Sequence, residues 1–145
     1  MKKLTVILLS LMASLFPAQL SAQELTVAEV ENAIKADGKY AMLVRNAEHL
    51  QASVKTAAAL IKDNPGLDFR IVVCGPIVKE VAGDAATREL MDRAKKEGVI
   101  ILACGISMKK FNIAAADLPR TVQVTENGLL YIFGLQENGY KTITL

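Results

Sequence analysis

The chain has 145 residues, with 17 Lys and Arg against 15 Asp and Glu and a formal net charge of +2. Lys2 and Lys3 account for that surplus and lie in an amino-terminal stretch expected to be removed, so residues 23–145 are neutral overall and hold no basic excess for nucleic acid. With no Trp and 5% aromatic residues, a base-stacking platform is excluded too.

Met1-Lys2-Lys3 is a basic start, residues 4–16 are an uncharged apolar run, and residues 17–22 are small or polar. That layout predicts a secretory signal peptide over residues 1–22, cut after Ala22, and a periplasmic or secreted protein. The apolar run is shorter than the roughly 20 residues that span a bilayer, so no membrane association is expected after cleavage. Residues 23–145 suffice for one domain with one core.

The mature chain opens with a short helix predicted over 26–37, with Thr26 as N-cap and Glu29 completing a capping box. Tyr40–Val44 reads as the first strand and residues 47–62 as an amphipathic helix stopped by Asp63-Asn64-Pro65-Gly66. Phe69–Cys74 is the second strand, ending in Gly75-Pro76. Residues 76–83 are ambiguous, with one helical turn carried by Ile77, Val78 and Val81. A helix over about 85–97 leads to the third strand, ending at Cys104, and a brief helix to about Phe111. Thr121–Val124 is the fourth strand, residues 127–137 the last helix, and 140–145 the closing strand. Strands alternating with helices predict an α/β fold with a mainly parallel five-stranded sheet and helices on both faces. The last helix is apolar almost all round (Leu129, Leu130, Tyr131, Ile132, Phe133), which fits either a subunit interface or a central core helix.

Val99-Ile100-Ile101-Leu102 shows no alternation, as in a parallel strand buried on both faces. Cys104 then falls at the strand's carboxyl end and the next helix's amino end, where free N–H groups favour a thiolate. The competing reading is a small apolar side chain closing a strand. The rim formed by the carboxyl ends of the first three strands collects Arg45, Asn46, Glu48, His49, Cys74, Gly75 and Cys104. His49, the only histidine, is either a base or hydrogen-bond partner for the thiolate or an exposed residue on a helix's first turn. Lys109 and Lys110 either draw in an anionic donor or form a solvated helix face. No Walker loop, G-x-G-x-x-G, G-x-S-x-G or H-E-x-x-H occurs, so no cofactor is expected. One His and two Cys also make a poor metal site.

Three segments carry a family resemblance: Val72-Val73-Cys74-Gly75-Pro76, Leu102-Ala103-Cys104-Gly105-Ile106-Ser107-Met108-Lys109 and Leu135-Gln136-Glu137-Asn138-Gly139-Tyr140. In this order they make the chain from about Tyr40 to Leu145 similar to the DsrE/DsrF-like (TusD-like) sulfur-relay family. The resemblance implies a flavodoxin-like three-layer sandwich, a homo-oligomer (trimer or hexamer), and protein sulfur donors or acceptors. It also implies that Cys104 carries sulfane sulfur as a persulfide, with Asn46, Gly75, Gly105 and Lys109 around it. Two positions depart from the family's habit. Ile106 stands where a polar residue is common, and Cys74 stands where a histidine is common, which either adds a second thiol or removes a base.

A flavodoxin-like strand order, 2-1-3-4-5, places the first strand between the second and third. Cys74 and Cys104 would then lie roughly 9–10 Å apart, beyond the about 7 Å limit for a disulfide, so two free thiols are expected. The function the family resemblance implies is sulfane-sulfur transfer through Cys104. The alternatives are a non-catalytic oligomeric binding module and a weak metal or small-anion binder at the Cys104 rim.

Overall fold

The computed structural model describes residues 24–145; the expected signal segment lies outside them. It divides at Ala33/Ile34 into two units. The first contains a single turn of helix, α1 (Val27–Glu31), with the predicted Thr26–Glu29 capping box in place. This helix is shorter than the 26–37 expected from sequence, and no residue of it is buried. With no buried residue to offset the nucleation cost, so short a helix rests on its cap.

The second unit is an α/β domain. Its elements are β1 (Lys39–Val44), α2 (Ala47–Asp63), β2 (Asp68–Val73), α3 (Ile77–Gly83), α4 (Ala85–Lys96), β3 (Ile100–Cys104), α5 (Gly105–Lys110), β4 (Val122–Thr125), α6 (Gly128–Glu137) and β5 (Lys141–Thr144). The ambiguous stretch after Gly75 is thus a true helix, α3, with Ile77, Val78 and Val81 fully buried. Gly75 has φ +75°, a conformation costly for other residues, and this turns the chain from β2 into Pro76 and α3. No helix among the described residues is long and apolar enough to cross a membrane.

All strand pairs are parallel, as the sequence predicts, but the order is β4-β3-β2-β1-β5 and not 2-1-3-4-5. The crossovers explain it. From β1 to β4 the chain steps the same way each time, and right-handed connections then place α2, α3 and α4 on one face. Only the last connection reverses, carrying α6 from the β4 edge across the opposite face to set β5 beside β1. Local hydrophobic pattern specifies strands but not their neighbours, so this order is not written in any one segment.

The pleat divides the side chains accordingly. Ile71, Val73, Ile101 and Ala103 meet Leu50, Val54 and Ala57 of α2, Ile77, Val78 and Val81 of α3, and Met91 and Ala94 of α4 in the larger core. Ala41, Leu43, Val72, Cys74, Leu102 and Cys104 point the other way, to a smaller core closed by Ile132 and Leu135 of α6. Only part of α6 is used: Leu129, Leu130 and Phe133 are 59%, 64% and 60% exposed.

Candidate functional site

The register pairs Val73 with Ala103 across β2 and β3, so the next residues, Cys74 and Cys104, come side by side on the α6 face. Both are free thiols. The strand that was expected to separate them lies outside the pair, next to β2, so the distance argument for their staying apart does not apply to this topology.

Cys104 is the N-cap of α5, and the start of α6 lies against it as well. The Gly128 N–H donates to Cys104 Sγ at 3.3 Å. Asn127, the α6 N-cap, holds that end of the helix by accepting from the Leu129 and Leu130 N–H groups. The approach requires glycine. A Cβ on Gly128 would stand 2.5 Å from Cys74 Sγ, 3.0 Å from Val72 Cγ1 and 3.1 Å from Cys104 Cβ. The Ser107 hydroxyl accepts from the Gly75 N–H at 2.8 Å, which ties the turn after β2 to α5. The Ile106 N–H donates to the Glu126 carbonyl at 3.1 Å, tying α5 to the loop before α6. Each segment around the sulfurs is therefore fixed to the next by a hydrogen bond from a backbone N–H.

The two thiols differ in acidity. Burial opposes ionisation of Cys104. The Gly128 N–H, the Ser107 hydroxyl and N–H, and the Cys74 thiol together outweigh it and hold its pKa below the ordinary thiol value. Cys74 is pushed up to about 12, first by burial, then by the charge on Cys104 and the bond to it, with Arg45 pulling the other way. The arrangement is a thiol made more acidic beside one made less acidic.

Cys104 and Cys74 are only 5% and 8% exposed as residues. Even so, both line a cleft of about 480 Å³ together with Arg45, Gly75, Ser107, Lys110 and Asn127. Two cationic side chains, Arg45 and Lys110, thus line the cleft that both sulfurs border. A larger cleft of about 800 Å³ adjoins it, Ile106 and Asn127 lining both. In this second cleft Arg70 donates to both carboxylate oxygens of Asp68 (3.1 and 3.0 Å) and to the Tyr131 hydroxyl (2.6 Å). The Tyr140 hydroxyl donates to Asp68 at 2.7 Å. The network pins α6, through Tyr131, to β2.

The residues expected from sequence are distributed unevenly. Gly75 and Cys74 join Cys104 in the sulfur cleft, and Gly105 begins α5 directly behind it. Lys109 lines the larger cleft, whereas Lys110 lines the sulfur cleft. Asn46 is the N-cap of α2, accepting from the His49 N–H at 2.8 Å, and its side-chain amide lies 3.2 Å from His49 Nδ1. That helix packs on the opposite face of the sheet, so neither Asn46 nor His49 lines the sulfur cleft, and His49 is not placed to serve Cys104 as a base. Among the described residues no group of three or more His, Cys, Asp or Glu is placed to hold a metal, and the metal reading that needed His49 beside both sulfurs lacks its third ligand. Ser107 and Gly128 are site residues that the sequence reading passed over. Ser107 sits three residues after Cys104, one turn along α5, and Asn127-Gly128 carries the N-cap signal after β4.

The sequence pattern of the DsrE/DsrF-like family matches residues 38–145. No curated protein sequence matches the chain. Among solved structures, MTH1491 from Methanobacterium thermoautotrophicum, a protein of unknown function, superposes with TM-score 0.64 at 18% identity, covering 74% of this chain and all of that one. The ychN protein from E. coli gives 0.62 at 18% identity over 74% of this chain and 99% of its own. BT1422 from Bacteroides thetaiotaomicron, also of unknown function, gives 0.62 at 20% identity over 79% of this chain and all of its own. At these identities the superpositions speak for the fold. The family match, across most of the chain and including both cysteine segments, makes this a member of the DsrE/DsrF-like family.

Proposed function

We propose that the protein is a periplasmic sulfane-sulfur carrier that holds sulfur as a persulfide on Cys104. The observation that carries this reading is the Cys104 sulfur itself: it borders a cleft with Arg45 and Lys110 and receives the Gly128 N–H at 3.3 Å. A thiolate stabilised in this way attacks the terminal sulfur of a polysulfide or a donor protein's persulfide, breaking the S–S bond behind it and expelling the shortened polysulfide or the donor's thiolate, and the cations favour approach of the anionic donor. The outer sulfur then lies toward the cleft, open to an acceptor thiolate. Membership of a family associated with sulfur relay supports the assignment. The test is intact-mass analysis after treatment with inorganic polysulfide. The expected product is about 32 Da heavier, and the gain disappears in Cys104→Ala. An unchanged mass, or a gain that survives in Cys104→Ala, overturns the reading.

Two further proposals accompany it. The amino-terminal signal layout supports export, and sequencing the amino terminus of the protein recovered from the periplasm should begin near Gln23. The exposed Leu129, Leu130 and Phe133 of α6 support a homo-oligomer, a trimer or hexamer, joined through that helix. Light scattering of Leu130→Glu against the unaltered protein tests this, with a fall to monomer mass expected.

A specific observation favours a second reading, a binding module without sulfur chemistry. Ile106, next after the Cys-Gly pair, is exposed and apolar where a polar contact would serve sulfur transfer, and Cys104 is largely covered. Failure of Cys104 to react with either polysulfide or a small alkylating agent in the folded protein selects that reading.

A further inference from the structure

Cys74 is the one nucleophilic group beside Cys104 that carrying sulfur does not require. It supplies a second sulfur in the same cleft. Val73, the last residue of β2, pairs with Ala103 of β3, and Cys74 and Cys104 are the residues that follow them. The inter-strand spacing of about 4.8 Å at the end of this register falls within the roughly 4.4–6.8 Å between Cα atoms that a disulfide accepts. Both side chains point to the same face, and the bare Gly128 backbone leaves the Cys74 sulfur room beside Cys104.

We propose that Cys74 is a resolving thiol: it attacks a persulfide on Cys104, releases hydrosulfide and leaves a Cys74–Cys104 disulfide. This rests on the carrier reading above for its substrate. In the step, Cys74 Sγ bonds to Cys104 Sγ, and the bond between Cys104 Sγ and the outer sulfur breaks. The electron pair of that bond leaves with the outer sulfur, which takes the Cys74 proton and departs as hydrosulfide. The sulfane sulfur is reduced to sulfide, and the two cysteine sulfurs are oxidised to the disulfide. A protein dithiol, or dithiothreitol in vitro, returns the pair to its reduced state by thiol–disulfide exchange.

The environment times the step. Burial first, and then the charge on a Cys104 thiolate and its bond to Cys74, keep Cys74 protonated. Once Cys104 carries sulfur, the negative charge sits on the outer atom, further from Cys74, and the restraint on Cys74 ionisation weakens while Arg45 continues to favour the thiolate. Holding nucleophile and target side by side makes the attack effectively unimolecular. The bound sulfur accordingly has a limited lifetime: it passes to an acceptor or leaves as sulfide.

The experiment follows the intact mass of the reduced, desalted protein over time after a pulse of inorganic polysulfide, in parallel with Cys74→Ser and Cys104→Ser. The unaltered protein should gain about 32 Da briefly and then settle about 2 Da below its reduced mass, with Cys74 and Cys104 joined in a non-reducing peptide map. Cys74→Ser should hold the added sulfur at least about tenfold longer. Serine is smaller than cysteine and fits the same space; Cys74→Ala and a thermal melt of each variant serve as folding controls. A persulfide equally long-lived with and without Cys74 overturns the resolving step and leaves the carrier reading standing. Failure of both the unaltered protein and Cys74→Ser to gain the added sulfur overturns the carrier reading and this step with it. Sulfur loaded onto Cys74 in Cys104→Ser contradicts the assigned roles.

Discussion

The two faces of the sheet are built to different standards. One carries α2, α3 and α4 over a broad aliphatic core in which Phe69, Leu50, Ile71 and Ile77 are almost wholly removed from water. The other carries α6 alone, over a smaller cluster that includes both cysteines. The thick face supplies stability. The thin face leaves clefts on either side of one helix, an outward row of apolar residues, and the reactive sulfurs beneath. The same topological event produces all three. Because only the β4–β5 connection crosses that side, a single helix has to cover five strands, and it cannot.

Substitutions that hit the two faces unequally give the largest expected effects. Phe69→Ala, in the thick core, should cost about 3–5 kcal/mol of unfolding free energy in a denaturant titration. Phe133→Ala, the same chemical change on the outer side of α6, should cost within about 0.5 kcal/mol in the monomer and act instead on association, read by light scattering. Equal losses at the two positions would break the comparison.

Gly128→Ala tests the junction between α6 and the sulfurs. The new Cβ would overlap Cys74 Sγ and press on Val72 and Cys104, so the start of α6 must lift. A loss of about 1–3 kcal/mol is expected in the same titration, with slower alkylation of Cys104 at neutral pH as its N–H donor withdraws. Tyr131→Phe should cost less, about 1 kcal/mol, because it removes one hydrogen bond to a partly exposed Arg70 that keeps both its bonds to Asp68.

Much of this is legible in the chain. The unbroken apolar run before Cys104 announces a parallel strand, and Asp63-Asn64-Pro65-Gly66 ends α2 where expected, because these signals act within a few residues of themselves. The site is only half legible for the same reason. Cys104 is marked by its place between strand and helix, but its hydrogen-bond donor lies 24 residues along, brought over it by a crossover whose direction no local pattern encodes. His49 illustrates the converse. It is close to the rim in sequence, yet α2 packs on the other face and takes it away from the sulfurs. The cysteines themselves are neighbours because β2 and β3 pair directly, a fact of sheet order and not of spacing in the chain.

The most direct measurement is the pH dependence of alkylation at each cysteine in the folded protein, followed by iodoacetamide labelling and peptide mapping. Alkylation rate follows thiolate fraction, and a depressed pKa in the fold means that Cys104 stays ionised down to a lower pH than a free thiol. The account predicts that Cys104 labels first, with a midpoint below that of an ordinary thiol that moves upward in Ser107→Ala, while Cys74 stays unlabelled until far more alkaline pH. Two cysteines titrating together at the ordinary value, or Cys74 labelling first, would contradict it.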